Sequence, residues 1–297
     1  MARSEKSNLV NWLAATRPKT LVAAVVPIVV GAAEAHRVGF FDWYPVVICL
    51  SFALLVQIAT NMANDYFDFI KGADTEDRLG PDRMVAKGNI SPRAMIVVAV
   101  SLFALAFFIG LGLIQYRGWE LLVVGIVSIL FGYCYTGGPY PLAYNGLGDV
   151  FVIFFFGVVA TAGTYYVIVG QLSIHVFLLG GSLGLLANNI LVANNCRDRE
   201  TDAKADKRTL IVVCGRQFGT YQFGAQLLGA IGFIVIYAVM SQNAWAFLPF
   251  ASGILGWKSY RFIAANDGSS LNQLLEMAAK TLVLFGLLAA IGIALGS

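Results

Sequence analysis

Apolar residues fall along this chain in nine long runs, near positions 20–38, 46–68, 94–115, 119–136, 150–170, 174–195, 220–240, 244–262 and 275–295, parted by polar breaks. A bilayer core takes about 20 apolar residues per helix. The pattern therefore predicts an all-α integral membrane protein with nine transmembrane helices. The breaks at 116–118 and 241–243 are so short that the helices they join must be antiparallel neighbours. Two others, about 70–93 and 196–219, are long and polar and read as cap loops.

The polar positions inside this pattern are ordered. Gln57, Asn61, Asn64, Asp65 and Asp68 recur at steps of three and four at the end of the second run, on one face of a helix. Gly184, Asn188, Asn195, Asp198 and Asp202 form a similar stripe at the end of the sixth run, with Asn194, Arg197 and Asp206 nearby. Each acidic helix end precedes a basic loop, which gives the two halves the look of a weak duplication. Negative charge at a helix C-terminus opposes the macrodipole, and carboxylates at the edge of lipid are costly. Both ends therefore need cationic partners.

Composition adds little to the class and something to the topology. The chain is 58% hydrophobic and 12% charged, about half the charged fraction of a soluble domain. Its net charge of +3 is too small to imply a nucleic-acid partner. The distribution of Lys and Arg is more telling: Arg3, Lys6, Arg17 and Lys19, the cluster from Lys71 through Arg78 to Arg93, the cluster from Arg197 to Arg216, and Lys258 and Arg261 alternate with segments holding only Arg37 and Arg117. By the positive-inside rule the N-terminus and both cap loops are cytoplasmic and the C-terminus is outside. Lys280 lies within the last run and reads as a snorkelling residue. Cys49, Cys134, Cys196 and Cys214 form no C-x-x-C pair and read as packing residues. The N-terminal segment has neither a small-residue cleavage site nor transit-peptide composition, so the first run reads as retained. The whole span, 1–297, reads as a single transmembrane domain.

Aspartates with asparagine neighbours are hard oxygen ligands, suited to Mg²⁺ rather than to zinc or copper. The two histidines, His36 and His175, fall toward the other membrane face. Because Mg²⁺ takes one or two carboxylates and completes its shell with water and phosphate oxygens, two acidic ends flanked by cations make a clamp for a diphosphate. Lys71, Arg83, Lys87, Arg197, Lys204, Lys207 and Arg208 supply those cations, although each also serves as an ordinary positive-inside residue.

These residues resemble the UbiA superfamily of intramembrane aromatic prenyltransferases. The resemblance rests on Asn64-Asp65-x-x-Asp68 after the second run and Asn194-x-x-Arg197-Asp198-x-x-x-Asp202 after the sixth, and it covers essentially the full chain. The stretch from Asn64 to Asp74, the Tyr135-Thr136-Gly137-Gly138-Pro139 turn, Gly146-Leu147-Gly148-Asp149 and Lys207-Arg208-Thr209-Leu210 look like the branch that prenylates 1,4-dihydroxy-2-naphthoate in menaquinone biosynthesis. Gly72 stands where the broader pattern has a third acid, and Asp74 is the next one.

The resemblance implies a helical bundle around a central cavity in a prokaryotic plasma (inner) membrane, with its active site toward the cytoplasm. It implies Mg²⁺-assisted ionisation of a polyprenyl diphosphate, attack by the naphthoate ring and decarboxylation to demethylmenaquinone. Asp65, Asp68, Asp198 and Asp202 are then the expected metal ligands, with Asp74 and Asp206 as further candidates. Asn61, Asn64, Asn194 and Asn195 orient ligands or substrate. Lys71, Arg83, Lys87, Arg197 and Lys207 meet the diphosphate. Arg17 is either a topology anchor or a substrate contact, Tyr133 and Tyr135 either interfacial aromatics or faces for an allylic cation, and Asp149 either a helix N-cap or an acceptor contact. Two alternatives stand beside this reading. One is the same fold acting on 4-hydroxybenzoate, homogentisate, a chlorophyllide or haem; the other is a cation-coupled transporter.

Overall fold

The computed structural model describes residues 2–74 and 79–296, with side chains from Asn8 onward. Arg78 and the side chains of Arg3 and Lys6, expected among the cytoplasmic cations, lie outside that description. Every regular element among the described residues is helical. Helix α1 (Ala2–Ala15), which the apolar runs did not signal, precedes α2 (Pro18–Arg37) and α3 (Trp43–Ile70). The fourth element, α4, spans Pro92–Arg117, tightening to a 3₁₀ turn at Leu111–Leu113. Then come α5 (Trp119–Cys134), α6 (Gly148–Val169), α7 (Ile174–Lys204), the short α8 (Leu210–Cys214), α9 (Arg216–Ser241), α10 (Gly253–Ala265) and α11 (Leu271–Leu295).

Seven of these helices are long and apolar enough to cross a membrane: α2, α3, α4, α6, α7, α9 and α11. The other two expected spans come out differently. α5 has 16 residues, about 24 Å of helix against about 30 Å of hydrocarbon. The 244–262 run is divided: Ala244–Ser252 winds as a 3₁₀ helix containing Pro249, and only Gly253–Ala265 is α-helical. Proline lacks the N–H that an α-helix interior needs, and hydropathy carries no trace of that change in winding.

The second cap loop also differs from expectation. α7 continues nine residues past Asn195 to Lys204, so Arg197, Asp198 and Asp202 are helical. Hydropathy marks where lipid ends; backbone hydrogen bonding can continue well beyond it.

α7 is the axis of the molecule, with 83% of its apolar window buried. It crosses α6 at glycines: a β-carbon on Gly157 would run into the Gly180 carbonyl and Gly184, and one on Gly184 into the Ile153 carbonyl. Small residues permit this approach where no hydrophobic effect drives helices together in lipid. α6 winds as a π-helix over Ile153–Val159, at the same crossing.

Two apolar lobes result. One joins α2, α7, α9 and α11 around Leu183, Phe223 and Leu282. The other joins α3 and α4 with Met84 and Val85 of the first cap loop. Outward positions such as Phe108, Leu228, Val239 and Ile254 are each more than 60% exposed, a surface fit for lipid rather than water. At the far end of α2, Glu34 is fully buried, paired with Arg37 at 2.8 Å and accepting from Tyr237 at 2.7 Å, with His175 at 3.8 Å. Lys280 pairs with Glu276 at 2.8 Å, and Glu276 also meets Lys19.

Candidate active site

Between the two lobes, the polar ends of α3 and α7 wall a cavity of about 460 Å³, within the size range of small-ligand sites. Asn61 holds one edge. Its Nδ2 donates to the Thr16 carbonyl at 2.9 Å and to Thr20 Oγ1 at 3.1 Å, pinning the turn between α1 and α2. Within that turn Arg17 adopts a left-handed backbone conformation, φ 52°, which is costly for a side chain of this size. The turn brings Arg17 to the cavity wall, where it donates to the Asn61 carbonyl at 3.2 Å and attracts the Asp65 carboxylate.

Asp65 and Asp68 both line the cavity. Asp65 accepts the backbone N–H groups of Met84 at 3.1 Å and Val85 at 3.3 Å, so the first cap loop folds back onto the helix that precedes it. Asp68 accepts from the Tyr144 hydroxyl at 2.9 Å and from Arg83 at 3.3 Å. Arg83 Nε also lies 3.4 Å from Asp74, so Asp74 braces the arginine. Asn64 accepts from Thr136 Oγ1 at 2.7 Å. Lys71 donates to the Thr136 carbonyl at 2.5 Å and stands 4.4 Å from the Tyr144 ring centroid, with Lys207 at 5.5 Å from the same ring. Burial lowers the Lys71 pKa and Lys207 adds to that, against the pull of Asp68. The Tyr144 phenol is pushed up, by burial first and by Asp68 next.

The end of α7 is arranged otherwise. Arg197 grips Asp198 with two parallel contacts, Nε to Oδ1 at 2.8 Å and Nη2 to Oδ2 at 2.6 Å, while Nη1 reaches Asn272 at 2.8 Å and Nη2 also bonds Asn194. Gly80 of the first cap loop lies directly on the guanidinium; a β-carbon there would approach Nη2 to 2.5 Å. Asp202 pairs with Lys207 at 3.4 Å. On this side Asn194, Asn195 and Lys207 are among the polar groups of the cavity wall, beside the apolar Ala187, Ile190 and Leu191. Both oxygens of Asp198 face Arg197, and neither Asp198 nor Asp202, both expected as metal ligands, lines the cavity.

Three further residues stand apart from the expected cluster. Lys87 pairs with Asp82 at 2.7 Å and is 54% exposed. Asp206 pairs with Arg208 at 3.2 Å and is 84% exposed, beyond the end of α7. Tyr133 packs edge-on against Phe67, 5.3 Å between centroids, within the second lobe. Asp149 is not a cap: the N-cap of its helix is Leu147. Its buried carboxylate instead accepts from Asn188 at 2.8 Å and Gln222 at 2.6 Å, and it lines the cavity.

A second, apolar cavity of about 180 Å³ adjoins the first, walled by Phe52, Val56, Phe131, Phe155 and Val167 among others. Gln57, Thr60, Tyr135, Val152 and Phe156 line both. The combined space is charged and polar at one end and apolar at the other. Among the described residues no three His, Cys, Asp or Glu side chains converge as a metal cage. The donor set of Asp65, Asp68 and Asn64 nevertheless suits Mg²⁺, which takes one or two carboxylates and leaves its other positions to water and phosphate.

The profile of the UbiA prenyltransferase family matches residues 24–284. The chain belongs to that family. As a UbiA prenyltransferase it is a multi-pass membrane enzyme. It is 33% identical to the 1,4-dihydroxy-2-naphthoate octaprenyltransferase of Escherichia coli over 99% of this chain and 98% of that one. It is 35% identical to the Haemophilus influenzae enzyme of the same description over 86% and 81%. The fold is that of a UbiA homologue from Aeropyrum pernix K1 (TM-score 0.71, 13% identity, 91% of this chain and 97% of that one). An Archaeoglobus fulgidus homologue bound to DMAPP and Mg²⁺ also shares it (TM-score 0.58, 12% identity, 95% and 99%).

Sequence reasoning missed Tyr144 and Thr136, which tie Asp68, Asn64 and Lys71 together. Both lie between α5 and α6, where no helical period marks a face. The neighbouring Gly-Gly-Pro turn was the signal available. Gln222 on α9 gave none, as it is a lone amide in an apolar run.

Proposed function

We propose that this enzyme transfers a polyprenyl group from a polyprenyl diphosphate to 1,4-dihydroxy-2-naphthoate, with decarboxylation to demethylmenaquinol, the reduced form of demethylmenaquinone. The observation that carries this reading is the junction of a cation- and carboxylate-lined cavity with an apolar one at Gln57, Thr60, Tyr135, Val152 and Phe156. A substrate with a charged head and a greasy tail fits both at once. The naphthoate acceptor comes from the Escherichia coli and Haemophilus influenzae relatives.

Arg83 is the principal diphosphate contact in this scheme: it lines the cavity, is 6% exposed, and its Nη1 is buried without a hydrogen-bond partner. Buried donors without partners are costly, and an anion relieves that cost. Arg17 and Lys207 stand on the facing walls and, with Lys71 behind Tyr144, stabilise the charge that grows on the leaving oxygens. Asp65 and Asp68, with the Asn64 oxygen, would hold Mg²⁺, which supplies Lewis-acid stabilisation of the departing diphosphate. Asp202 positions Lys207, and Asp198 positions Arg197 beneath the first cap loop. The apolar walls keep water from the allylic cation, and the Tyr135 ring at the threshold faces it.

The chain acts as one domain, 1–297, with its N-terminus and both caps in the cytoplasm of a prokaryote and its C-terminus outside; α5 and the divided 244–265 segment complete nine crossings. Purified protein with Mg²⁺, 1,4-dihydroxy-2-naphthoate and a series of polyprenyl diphosphates should give prenylated, decarboxylated product by mass. Product with 4-hydroxybenzoate or homogentisate and none with the naphthoate would reassign the acceptor.

A further inference from the structure

Four carboxylates line the polar cavity, and three of them face a cation: Asp65 faces Arg17, Asp68 faces Arg83, and Asp82 faces Lys87. The exception is Asp149, 5% exposed, whose Oδ1 accepts from two neutral amides, Asn188 Nδ2 at 2.8 Å and Gln222 Nε2 at 2.6 Å. Neither of those two partners is a cation. The two amides add to the imbalance. Asn188 Oδ1 and Gln222 Oε1 are buried, and neither accepts a hydrogen bond. The cluster thus holds more lone pairs than protons, and what satisfies it is a hydrogen-bond donor.

Its position narrows the donor. Val152 and Phe156, one and two turns along the same helix, line both the polar and the apolar cavity. Asp149 therefore sits one turn from the place where a diphosphate head gives way to its hydrocarbon tail, which is where the reacting carbon would lie. The diphosphate is an acceptor of hydrogen bonds and is repelled by a carboxylate without a cation. A hydroxyl on an aromatic ring is complementary to it.

We propose that Asp149 binds the hydroxyl of the aromatic acceptor and takes its proton during prenyl transfer, with Asn188 and Gln222 holding the carboxylate in place. The proposal rests on the prenyl-transfer reading above. The ring carbon that carries the carboxylate forms its bond to prenyl C1 as the C1–O bond breaks and its electron pair leaves with the diphosphate. A lone pair of the hydroxyl oxygen becomes the second bond of a ring carbonyl, and the proton moves to Asp149. Loss of CO₂ then returns the C–C bonding pair to the ring, and Asp149 gives the proton back to the oxygen.

The test compares purified wild type and Asp149→Asn, which keeps the shape and loses the basicity. The expected result is a fall of about a hundredfold in kcat/KM for the acceptor, the scale of a lost general base, with prenyl diphosphate binding and thermal unfolding unchanged. In wild-type protein, at least one of the two monomethyl ethers of the dihydroxynaphthoate should fail as a substrate. That arm needs no variant and decides the matter if Asp149→Asn does not fold. Wild-type acceptor kinetics in Asp149→Asn, or turnover of both ethers at the parent rate, would overturn the proposal. Wild-type protein that prenylates no aromatic acceptor would instead overturn the prenyl-transfer reading itself.

Discussion

The ends of α3 and α7 carry nearly the same residues, asparagines and aspartates in helical register before a basic segment, yet they face the cavity differently. At the end of α3, the partners of Asp65 and Asp68 lie 15 to 76 residues along the chain: Arg83 and the Met84 and Val85 amides of the following loop, and Tyr144. Both carboxylates still line the cavity. At the end of α7 the cations are neighbours in sequence. Arg197 adjoins Asp198, and Lys207 follows Asp202 at the next bend. These carboxylates are neutralised before any ligand arrives, and the wall they support presents Asn194, Asn195 and Lys207 instead. Two like-looking acidic motifs thus divide into one that offers carboxylates and one that offers amides and a cation. The distance of the counterion along the chain separates them.

The largest expected effect that tests this asymmetry is on Asp65→Ala and Asp68→Ala. Each should lower turnover by about a thousandfold, the upper scale for losing a transition-state electrostatic contact, while membrane insertion, followed by size-exclusion profile, stays intact. Turnover close to wild type in either would remove α3 from the metal–diphosphate role. Excess chelator should abolish activity in wild-type protein, and Mg²⁺ binding, measured by calorimetry, should need the diphosphate, since no protein cage is present among the described residues.

Arg197→Ala comes next and acts on stability. Removing one partner of a buried ion pair costs about 3–5 kcal/mol. The expected signature is a lower unfolding temperature, with a smaller change in KM for the diphosphate in whatever folded protein remains. A large KM effect with unchanged stability would return Arg197 to the substrate. Lys207→Ala should raise KM for the diphosphate by about tenfold, the equivalent of one charge-assisted contact. Smallest are Lys87→Ala and Asp206→Ala, exposed pairs expected to change stability by less than about 0.5 kcal/mol and to leave product formation at the wild-type rate. An inactive Lys87→Ala enzyme would mean that the first cap loop closes onto the substrate.

Much of this was legible beforehand because it is local. Apolar runs of about 20 residues and side chains recurring every three or four positions follow from helix geometry, and they located α2, α3, α4, α6, α7, α9 and α11 and put Asn61, Asn64, Asp65 and Asp68 on one face. The family motifs pointed to the same residues. Where winding changed without a change in hydropathy, as at Ala244–Ser252, or where helix outlasted lipid, as from Cys196 to Lys204, the pattern gave no warning.

Local pattern is thus enough to identify a helical membrane protein with two acidic helix ends and a basic segment after each. Which acids line the cavity follows from packing between distant segments. That packing set Tyr144 and Thr136 between the motifs, turned Arg17 to the cavity through a left-handed residue, and placed Asp149 between two neutral amides. The reason is that helical periodicity is a property of neighbours in the chain. The neutralisation of a buried charge depends on distance through space, and two of the partners that matter most here, Tyr144 for Asp68 and Gln222 for Asp149, are more than 70 residues away along the chain.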